Sequence, residues 1–232
     1  MDLNGSRILV AGATGSLGER FARGLSARGA RLALAGRDRE ALARVGDELG
    51  APVILLDFTE SGSAAEAIAS ATAELGGLDG VVIATGTVAF GRSGELDSAT
   101  EAELMQVNTT GPMELVSAAL GELSPNGAVV AITAVVAEFP TAGMAAYSAS
   151  KAALAAYLAA LRRERRKELA TVLEVSPGHM ETGFAERALA GEPPPLPEGE
   201  DPEKLVEVAL DALVANRREV RYDLKSKELL VK

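Results

Sequence analysis

Cysteine and tryptophan are absent from the sequence, histidine occurs once, and aromatic residues make up only 3% of it. The absence of cysteine excludes a disulfide framework and a thiolate metal site, and with a single imidazole we expect no bound metal. The scarcity of aromatic rings argues against a stacking platform for single-stranded nucleic acid. A chain without cysteine fits a cytoplasmic protein, which is the location we expect.

Positive charge is also in deficit, because 23 Lys and Arg stand against 33 Asp and Glu, for a formal net charge of −10. Such a surface repels phosphate backbones, so nucleic acid is not an expected partner. The apolar run that ends at Ala11 is too short for the core of a signal peptide or for a membrane span, so we expect no membrane partner. The 232 residues can bury one large core.

Short continuous apolar runs alternate with longer helical patterns along the chain. Continuous runs are typical of parallel strands that are covered on both faces, and strand–helix alternation at this spacing is the doubly wound signature. The sequence therefore predicts a single-domain α/β protein with a doubly wound parallel sheet (Rossmann fold) in three α/β/α layers. The expected strands are 7–11, 31–35, 53–56, 81–84, 128–133 and 171–175, and the expected helices are 17–28, 39–49, 63–75, 101–120, 145–169 and 203–215.

One segment breaks this alternation. Residues 192–202 are rich in proline and acidic residues, a composition that excludes helix and central strand. The segment is either a solvated linker to the following helix or part of a mobile lid over the substrate. We expect residues 183–202 to form a loop or lid on the substrate side.

The first expected strand leads directly into a glycine-rich loop and the first helix. In this context Gly12 would permit the tight turn, Gly15 would let a pyrophosphate approach, and Gly18 would let the helix pack close to the sheet. The helix N-terminus would offer its free N–H groups to the phosphates. The expected cofactor contacts in this loop are Gly12, Thr14, Gly15, Ser16, Leu17 and Gly18.

The second expected strand ends without the carboxylate that usually binds the ribose 2′-hydroxyl of NAD. Gly36 holds that place and Arg37 follows, so Arg37 can pair with a 2′-phosphate. Asp38 would repel that phosphate if it turned inward. The pattern favours NADP(H) and leaves NAD(H) open.

Four motifs in order make the chain similar to the short-chain dehydrogenase/reductase family, from residue 7 to about residue 182. They are Tyr147-Ser148-Ala149-Ser150-Lys151, a Tyr-x-x-x-Lys motif; Asn108 within Val107-Asn108-Thr109-Thr110-Gly111; Ser176-Pro177-Gly178-His179-Met180-Glu181-Thr182; and Asp57 after the third expected strand.

The resemblance implies an oxidoreductase that moves a hydride between a nicotinamide cofactor and a small carbonyl compound or secondary alcohol. Tyr147 would be the general acid and base, and Lys151 would hold the nicotinamide ribose and lower the pKa of Tyr147. Asn108 would help to hold a water chain to Lys151, and Thr182 would bond the carboxamide. Further cofactor contacts implied by the family are Asp57, Phe58, Ala84, Thr85, Gly86, Pro177 and Gly178.

Related proteins pair their long helices across a two-fold axis, so the resemblance also implies a homodimer or homotetramer. The helices concerned correspond to residues 101–120 and 145–169.

The chain departs from the family pattern where a catalytic serine is expected. That position, thirteen residues before Tyr147, is Ala134, which cannot donate a hydrogen bond to a substrate oxygen. Thr133 is an open substitute, although neighbouring side chains in a strand point to opposite faces. In addition, Ile83-Ala84-Thr85-Gly86 replaces the family's Asn-Asn-Ala-Gly motif, and Ser16 stands where the main tetrameric branch has a glycine.

Two hypotheses follow from these departures. In the first, the protein is a working oxidoreductase whose substrate oxygen has lost one hydrogen-bond donor. In the second, it binds NADP(H) but has lost efficient catalysis and serves as a sensor or regulatory protein. Tyr147, Lys151 and Asn108 favour the enzyme, and Ala134 favours the sensor.

Overall fold

The computed structural model describes all residues from 1 to 232. Eight strands form a single sheet: β1 (Arg7–Ala11), β2 (Arg31–Gly36), β3 (Val53–Leu55), β4 (Leu78–Ile83), β5 (Leu123–Ile132), β6 (Leu169–Ser176), β7 (Glu219–Asp223) and β8 (Glu228–Val231). The helices are α1 (Ser16–Ala27), α2 (Arg39–Leu49), α3 (Ser63–Leu75), α4 (Ser98–Met105), α5 (Gly111–Ala119), α6 (Ala145–Glu164) and α7 (Pro202–Val214).

The sheet order is β3-β2-β1-β4-β5-β6-β7-β8, and every pairing is parallel except that of β7 with β8. The predicted doubly wound Rossmann fold is therefore confirmed. The chain order reverses between β1 and β4, and ligands of open α/β sheets bind at such a reversal, beyond the carboxyl ends of the strands.

Alternation along each strand divides the interior into two cores. In β1, Ile8 and Val10 pack into the core beneath α1, α2 and α7, whereas Leu9 and Ala11 pack into the core beneath α3, α5 and α6. Both faces of the sheet are thus covered, which explains why its strands are continuous apolar runs. None of the helices combines the length and apolar character that a membrane-crossing helix requires.

The two long helices predicted from the sequence are shorter than expected. The predicted helix 101–120 consists of α4, a π-helical segment (Gln106–Thr110) and α5, because residues between the two α-helices shift to wider hydrogen bonding. The predicted helix 145–169 ends at Glu164, since Leu169 already pairs with Gly127 in the sheet.

Two strands, β7 and β8, have no counterpart among the elements predicted from the sequence. The antiparallel hairpin of β7 and β8 is short and rich in charged residues, so it carries no continuous apolar run. Pro202 was expected outside the helix but is the first residue of α7, a position at which proline loses no intrahelical hydrogen bond.

Candidate active site

The turn between β1 and α1 brings three glycines to the carboxyl edge of the sheet. Gly12 has a φ of +82°, and a Cβ there would lie 2.8 Å from the backbone that follows β4. A Cβ on Gly18 would collide with the carbonyl oxygen of Gly12, so α1 packs directly on the turn. A Cβ on Gly15 would lie 3.3 Å from the same oxygen and near no other atom, so the space in front of Gly15 is open. Because α1 also lacks a side-chain cap, the turn presents free N–H groups to an anion.

The other side chains of this turn lie around the same opening. The Thr14 hydroxyl oxygen lies 3.6 Å from where a Cβ on Gly36 would be, at the end of β2. The Ser16 hydroxyl accepts a hydrogen bond of 2.6 Å from Arg20, which the sequence analysis did not single out. Leu17 packs against the adjacent core. The i, i+4 spacing of Ser16 and Arg20 can be seen in the sequence, but the position of this pair beside the glycine turn cannot.

The end of β2 presents an arginine, and the carboxylate that follows it caps the next helix. Asp38 caps α2, since its Oδ1 accepts a 3.0 Å hydrogen bond from the N–H of Ala41. Arg37 is exposed and forms no ion pair or hydrogen bond with the rest of the protein, and Arg39 is exposed nearby. Because this hydrogen bond holds the Asp38 carboxylate at the helix, the repulsion of a cofactor 2′-phosphate by Asp38 is reduced.

Beyond β3, Asp57 and Phe58 border the same edge. Asp57 Oδ1 accepts hydrogen bonds from the backbone and hydroxyl of Thr59, at 2.9 and 2.7 Å, which fixes the turn. Phe58 packs so closely on the start of α5 that a Cβ on Gly111 would collide with its ring. After β4, the hydroxyl of Thr85 is buried without a hydrogen-bond partner, a polar group that a bound ligand can satisfy.

Tyr147 and Lys151 share one face of α6 and are both buried, with 7% and 3% exposure. Burial raises the pKa of the Tyr147 phenol above its ordinary value and lowers the pKa of Lys151 to about 8. Lys151 Nζ donates to the carbonyl oxygen of Ile132 at 3.1 Å and not to Tyr147. The net shift of the Tyr147 pKa is thus upward and set by burial, opposite in direction to the lowering expected from Lys151. Tyr147 is a neutral phenol at neutral pH.

Asn108 lies in the π-helical segment and joins three parts of the site. Its Oδ1 accepts from the N–H of Thr87 at 2.9 Å, and its Nδ2 donates to the Thr87 carbonyl at 2.8 Å and to Ser150 Oγ at 3.0 Å. Ser150 Oγ in turn donates to the carbonyl of Tyr147 at 2.8 Å. With both amide hydrogens used, the Asn108 side chain positions α6 against the loop after β4. Ser150 was missed because a serine inside a Tyr-x-x-x-Lys motif has no distinguishing pattern.

The structure contradicts Thr133 as a substitute for the missing serine. Although β5 ends at Ile132, the Thr133 hydroxyl donates to the Glu174 carboxylate at 2.9 Å, and the residue is only 2% exposed. Burial raises the pKa of Glu174, and the bond from Thr133 opposes that shift. Ala134 packs in the same apolar cluster as Tyr147. The site therefore contains no second hydroxyl donor beside Tyr147 at this position.

The segment after β6 is held from both sides. The carbonyl of Pro177 accepts a 2.8 Å hydrogen bond from Val135, immediately after Ala134. Gly178 faces the ring of Tyr222 in β7, where a Cβ would lie 2.8 Å from a ring carbon. Thr182 follows in the same partly buried segment. The role of Tyr222 could not be predicted, since the strand that carries it was not recognised.

Residues 183–202 are tied to the loop after β4. The N–H of Leu189 donates to Val88 at 2.8 Å, and the N–H of Phe90 donates to Ala190 at 2.9 Å. Two backbone hydrogen bonds hold this part of the segment over the carboxyl edge. Residues 183–202 are called the lid below, and their role over a substrate stays a prediction.

The ends of the lid approach the site itself. The N–H of Glu200 donates to the carbonyl of His179 at 2.7 Å. Near the other end, the ring of Phe184 lies 6.3 Å from that of Tyr147, centroid to centroid, and its tip lies 3.8 Å from where a Cβ on Gly86 would be. Phe184 is thus an unpredicted member of the site, because no sequence pattern distinguishes it from other loop aromatics.

A comparison with protein-family models identifies the family of the chain. The model of the short chain dehydrogenase family matches residues 6–193, a range that includes the glycine turn, Asn108, the Tyr147–Lys151 pair and Thr182. The chain belongs to the short-chain dehydrogenase/reductase family. Among curated proteins, the chain is similar to a dehydrogenase/reductase SDR family protein 7-like of Anopheles gambiae, at 31% identity over 203 residues. The match covers 82% of this chain but 63% of that protein, so the chain spans less than two thirds of its relative's length.

Solved structures show the same fold. A short-chain dehydrogenase/reductase from Burkholderia phymatum in complex with NAD superposes with a TM-score of 0.85 at 22% identity, over 94% of this chain and 89% of that one. An alcohol dehydrogenase from Thermococcus sibiricus complexed with 5-hydroxy-NADP gives a TM-score of 0.82 at 24% identity, over 93% and 95%. The groups at the edge described above fit a nicotinamide dinucleotide: Gly15 has no side chain, α1 has no side-chain cap, and the buried Thr85 hydroxyl has no hydrogen-bond partner in the protein.

Proposed function

We propose that this protein is an NADPH-dependent reductase of small carbonyl compounds, with Tyr147 as the proton donor. The observation that carries the proposal is the buried, neutral phenol of Tyr147 at the same sheet edge as the open glycine turn. A neutral phenol is the form that can donate a proton to the oxygen of a carbonyl substrate. Lys151 and Thr182 would hold the nicotinamide half of the cofactor.

The chemistry requires little more than these groups. When bound, the reduced nicotinamide supplies the hydride that adds to the carbonyl carbon. The electron pair of the broken π bond moves to the oxygen, which takes the proton from Tyr147 Oη to give an alcohol. Lys151, charged below a pH of about 8, stabilises the resulting phenolate. Asn108 acts as a positioning residue through Thr87 and Ser150.

The preference for NADPH rests on Arg37. Its guanidinium is exposed and unpaired at the end of β2, where the 2′-phosphate of the cofactor would lie, and Asp38 is engaged in capping α2. An arginine pairs well with a phosphate through several N–H groups. NAD(H) would bind at the same turn without this contact, and hence more weakly.

The variant Arg37→Ala should weaken NADPH binding by about tenfold, since a partly solvated charge-assisted hydrogen bond contributes about 1.5 kcal/mol. NADH affinity should stay nearly unchanged. Titrating the cofactor fluorescence of both dinucleotides measures the two dissociation constants. Arg166→Ala, at an exposed arginine beyond the end of α6, is the matched control. Equal NADPH and NADH affinities in the unmodified protein would contradict the preference.

The sensor hypothesis has one observation in its favour. With Ala134 at the serine position and Thr133 bonded to Glu174, a substrate oxygen at this site is offered a single hydroxyl. A panel of ketones and aldehydes, followed by NADPH absorbance, separates the alternatives. Turnover supports the reductase, whereas tight NADPH binding with no turnover supports the sensor.

We also propose that the protein is a homodimer or homotetramer that pairs through α6. Four alanines, Ala145, Ala149, Ala156 and Ala160, are exposed on one face of this helix, and small side chains let two helices approach closely. Ala156→Arg should therefore shift the mass measured by light scattering toward the monomer. Ala73→Arg, at an exposed alanine of α3, should leave it unchanged. A monomeric mass for the unmodified protein at micromolar concentration would exclude the proposal.

A further inference from the structure

A third apolar cluster, separate from the two cores of the sheet, surrounds Tyr147. Five parts of the chain contribute to it: the loop after β4, helix α4, the segment after β5, the start of α6 and the lid. Its buried members include Val88, Phe90, Ala134 and Met144, and Phe184 and Ala188 of the lid pack against them. The cluster therefore encloses the one hydroxyl that the proposed reaction uses.

The lid is amphipathic in a way that matches this cluster. Phe184 and Ala188 pack into it, whereas Glu186 and Arg187 between them are exposed. The charged groups of the lid therefore stay on its outer side. Since the lid and the other walls are in contact, the lid must move outward to admit a substrate, and the inner surface it then offers is apolar.

Most polar side chains near this cluster are already engaged. Thr133 bonds to Glu174, and Asn108 uses both amide hydrogens on Thr87 and Ser150. Lys151, the buried cation nearby, donates to the carbonyl of Ile132 and would hold the nicotinamide ribose. The buried hydroxyls of Thr85 and Ser148 have no partner, but neither carries a charge. A carboxylate in this space would therefore lose its hydration without finding a free cationic partner.

We infer that the substrates of this site are uncharged carbonyl compounds in which hydrocarbon groups flank the carbonyl. The inference rests on the proposed reductase function and specifies its substrate class. Apolar flanks gain from burial against Val88, Phe90 and Phe184. The carbonyl oxygen takes one hydrogen bond, from Tyr147. A carboxylate near the carbonyl is rejected because Ala134 and Ala188 stand where a partner would be needed.

A matched pair of ligands tests the inference. 4-Methylacetophenone and 4-acetylbenzoate have the same ring and ketone, and differ by a methyl group against a carboxylate. Calorimetric titration of the NADP⁺-saturated protein, in which the ketone cannot be reduced, should show the methyl compound binding at least about tenfold more tightly, by the cost of burying an unpaired charge. Equal or tighter binding of the carboxylate, or no binding of either compound, would overturn the inference.

Binding and turnover are measured separately so that the two proposals can fail separately. Selective binding of the methyl compound without NADPH oxidation supports the ligand class and counts against the reductase. Turnover with 4-acetylbenzoate favoured supports the reductase and overturns the ligand class.

A lid variant supplies the internal control. Ala188→Lys places an ammonium on the inner side of the lid and should shift the affinity ratio toward 4-acetylbenzoate by about tenfold or more, because the carboxylate then has a partner. Glu186→Lys introduces the same ammonium on the exposed outer side of the same turn and should leave the ratio unchanged. An unchanged ratio in Ala188→Lys, or equal shifts in both variants, would overturn the placement of the binding surface.

Discussion

Tyr147→Phe should reduce the rate of carbonyl reduction by about a thousandfold or more, the loss typical of removing a general acid. The ring stays in its apolar cluster and only the hydroxyl is lost, so the fold and the cofactor site should be unaffected. Single-turnover rates of NADPH oxidation measure the chemical step, and cofactor fluorescence measures NADPH binding. The dissociation constant for NADPH should stay within about twofold, because the ring of Tyr147 and the cofactor site around it are retained.

Tyr157→Phe is the matched control for this prediction. Tyr157 lies on the same helix and packs partly buried against one of the two sheet cores, away from the cluster around Tyr147. It should retain the full rate. If Tyr147→Phe turned over as fast as the unmodified protein, another group would have to supply the proton, and the assignment of Tyr147 would be wrong.

Ala134→Ser should raise turnover by about ten- to a hundredfold, since losing one donor to a developing oxyanion costs two to three decades in other enzymes. Ala134 is extended, with φ of −166°, and sits in the cluster that contains Tyr147, so a hydroxyl added there can reach the same substrate oxygen. The rate constant at saturating substrate should rise more than the affinity. Ala137→Ser, three residues on, adds the same hydroxyl outside the cluster and should have no such effect.

The outcome of this second experiment also separates the two functional hypotheses. A gain in Ala134→Ser shows that the rest of the machinery is intact and that the serine alone is missing. If the unmodified protein and Ala134→Ser are both inert toward every carbonyl compound tried while NADPH still binds, the sensor hypothesis replaces the reductase.

The sequence was sufficient for the fold and for the positions of the glycine turn and the Tyr147–Lys151 pair, because these depend on local patterns. Continuous apolar runs marked the parallel strands, and the spacing of Gly12, Gly15 and Gly18 located the turn between the first strand and helix. Motif order then placed Tyr147 and Lys151 on one helix. In each case the relevant information lies within a few residues.

What the sequence could not provide depends on contacts between distant segments. The spacing of Tyr147 and Lys151 suggested a lowered tyrosine pKa, but burial by the lid and the loop after β4 reverses the direction. Similarly, Thr133 is unavailable to a substrate because its hydroxyl donates to Glu174, which lies 41 residues further along the chain. A carboxylate inside a strand gives no sequence signal of what it will bond.

The hairpin of β7 and β8 has a consequence for the order in which the molecule is completed. The glycine turn and the loop after β4 belong to strands at the centre of the sheet, formed from the first half of the chain. The segment after β6, by contrast, packs through Gly178 against Tyr222 of β7, which is among the last residues to be made. During synthesis, the glycine turn can therefore form before the segment that carries Thr182 gains this packing contact.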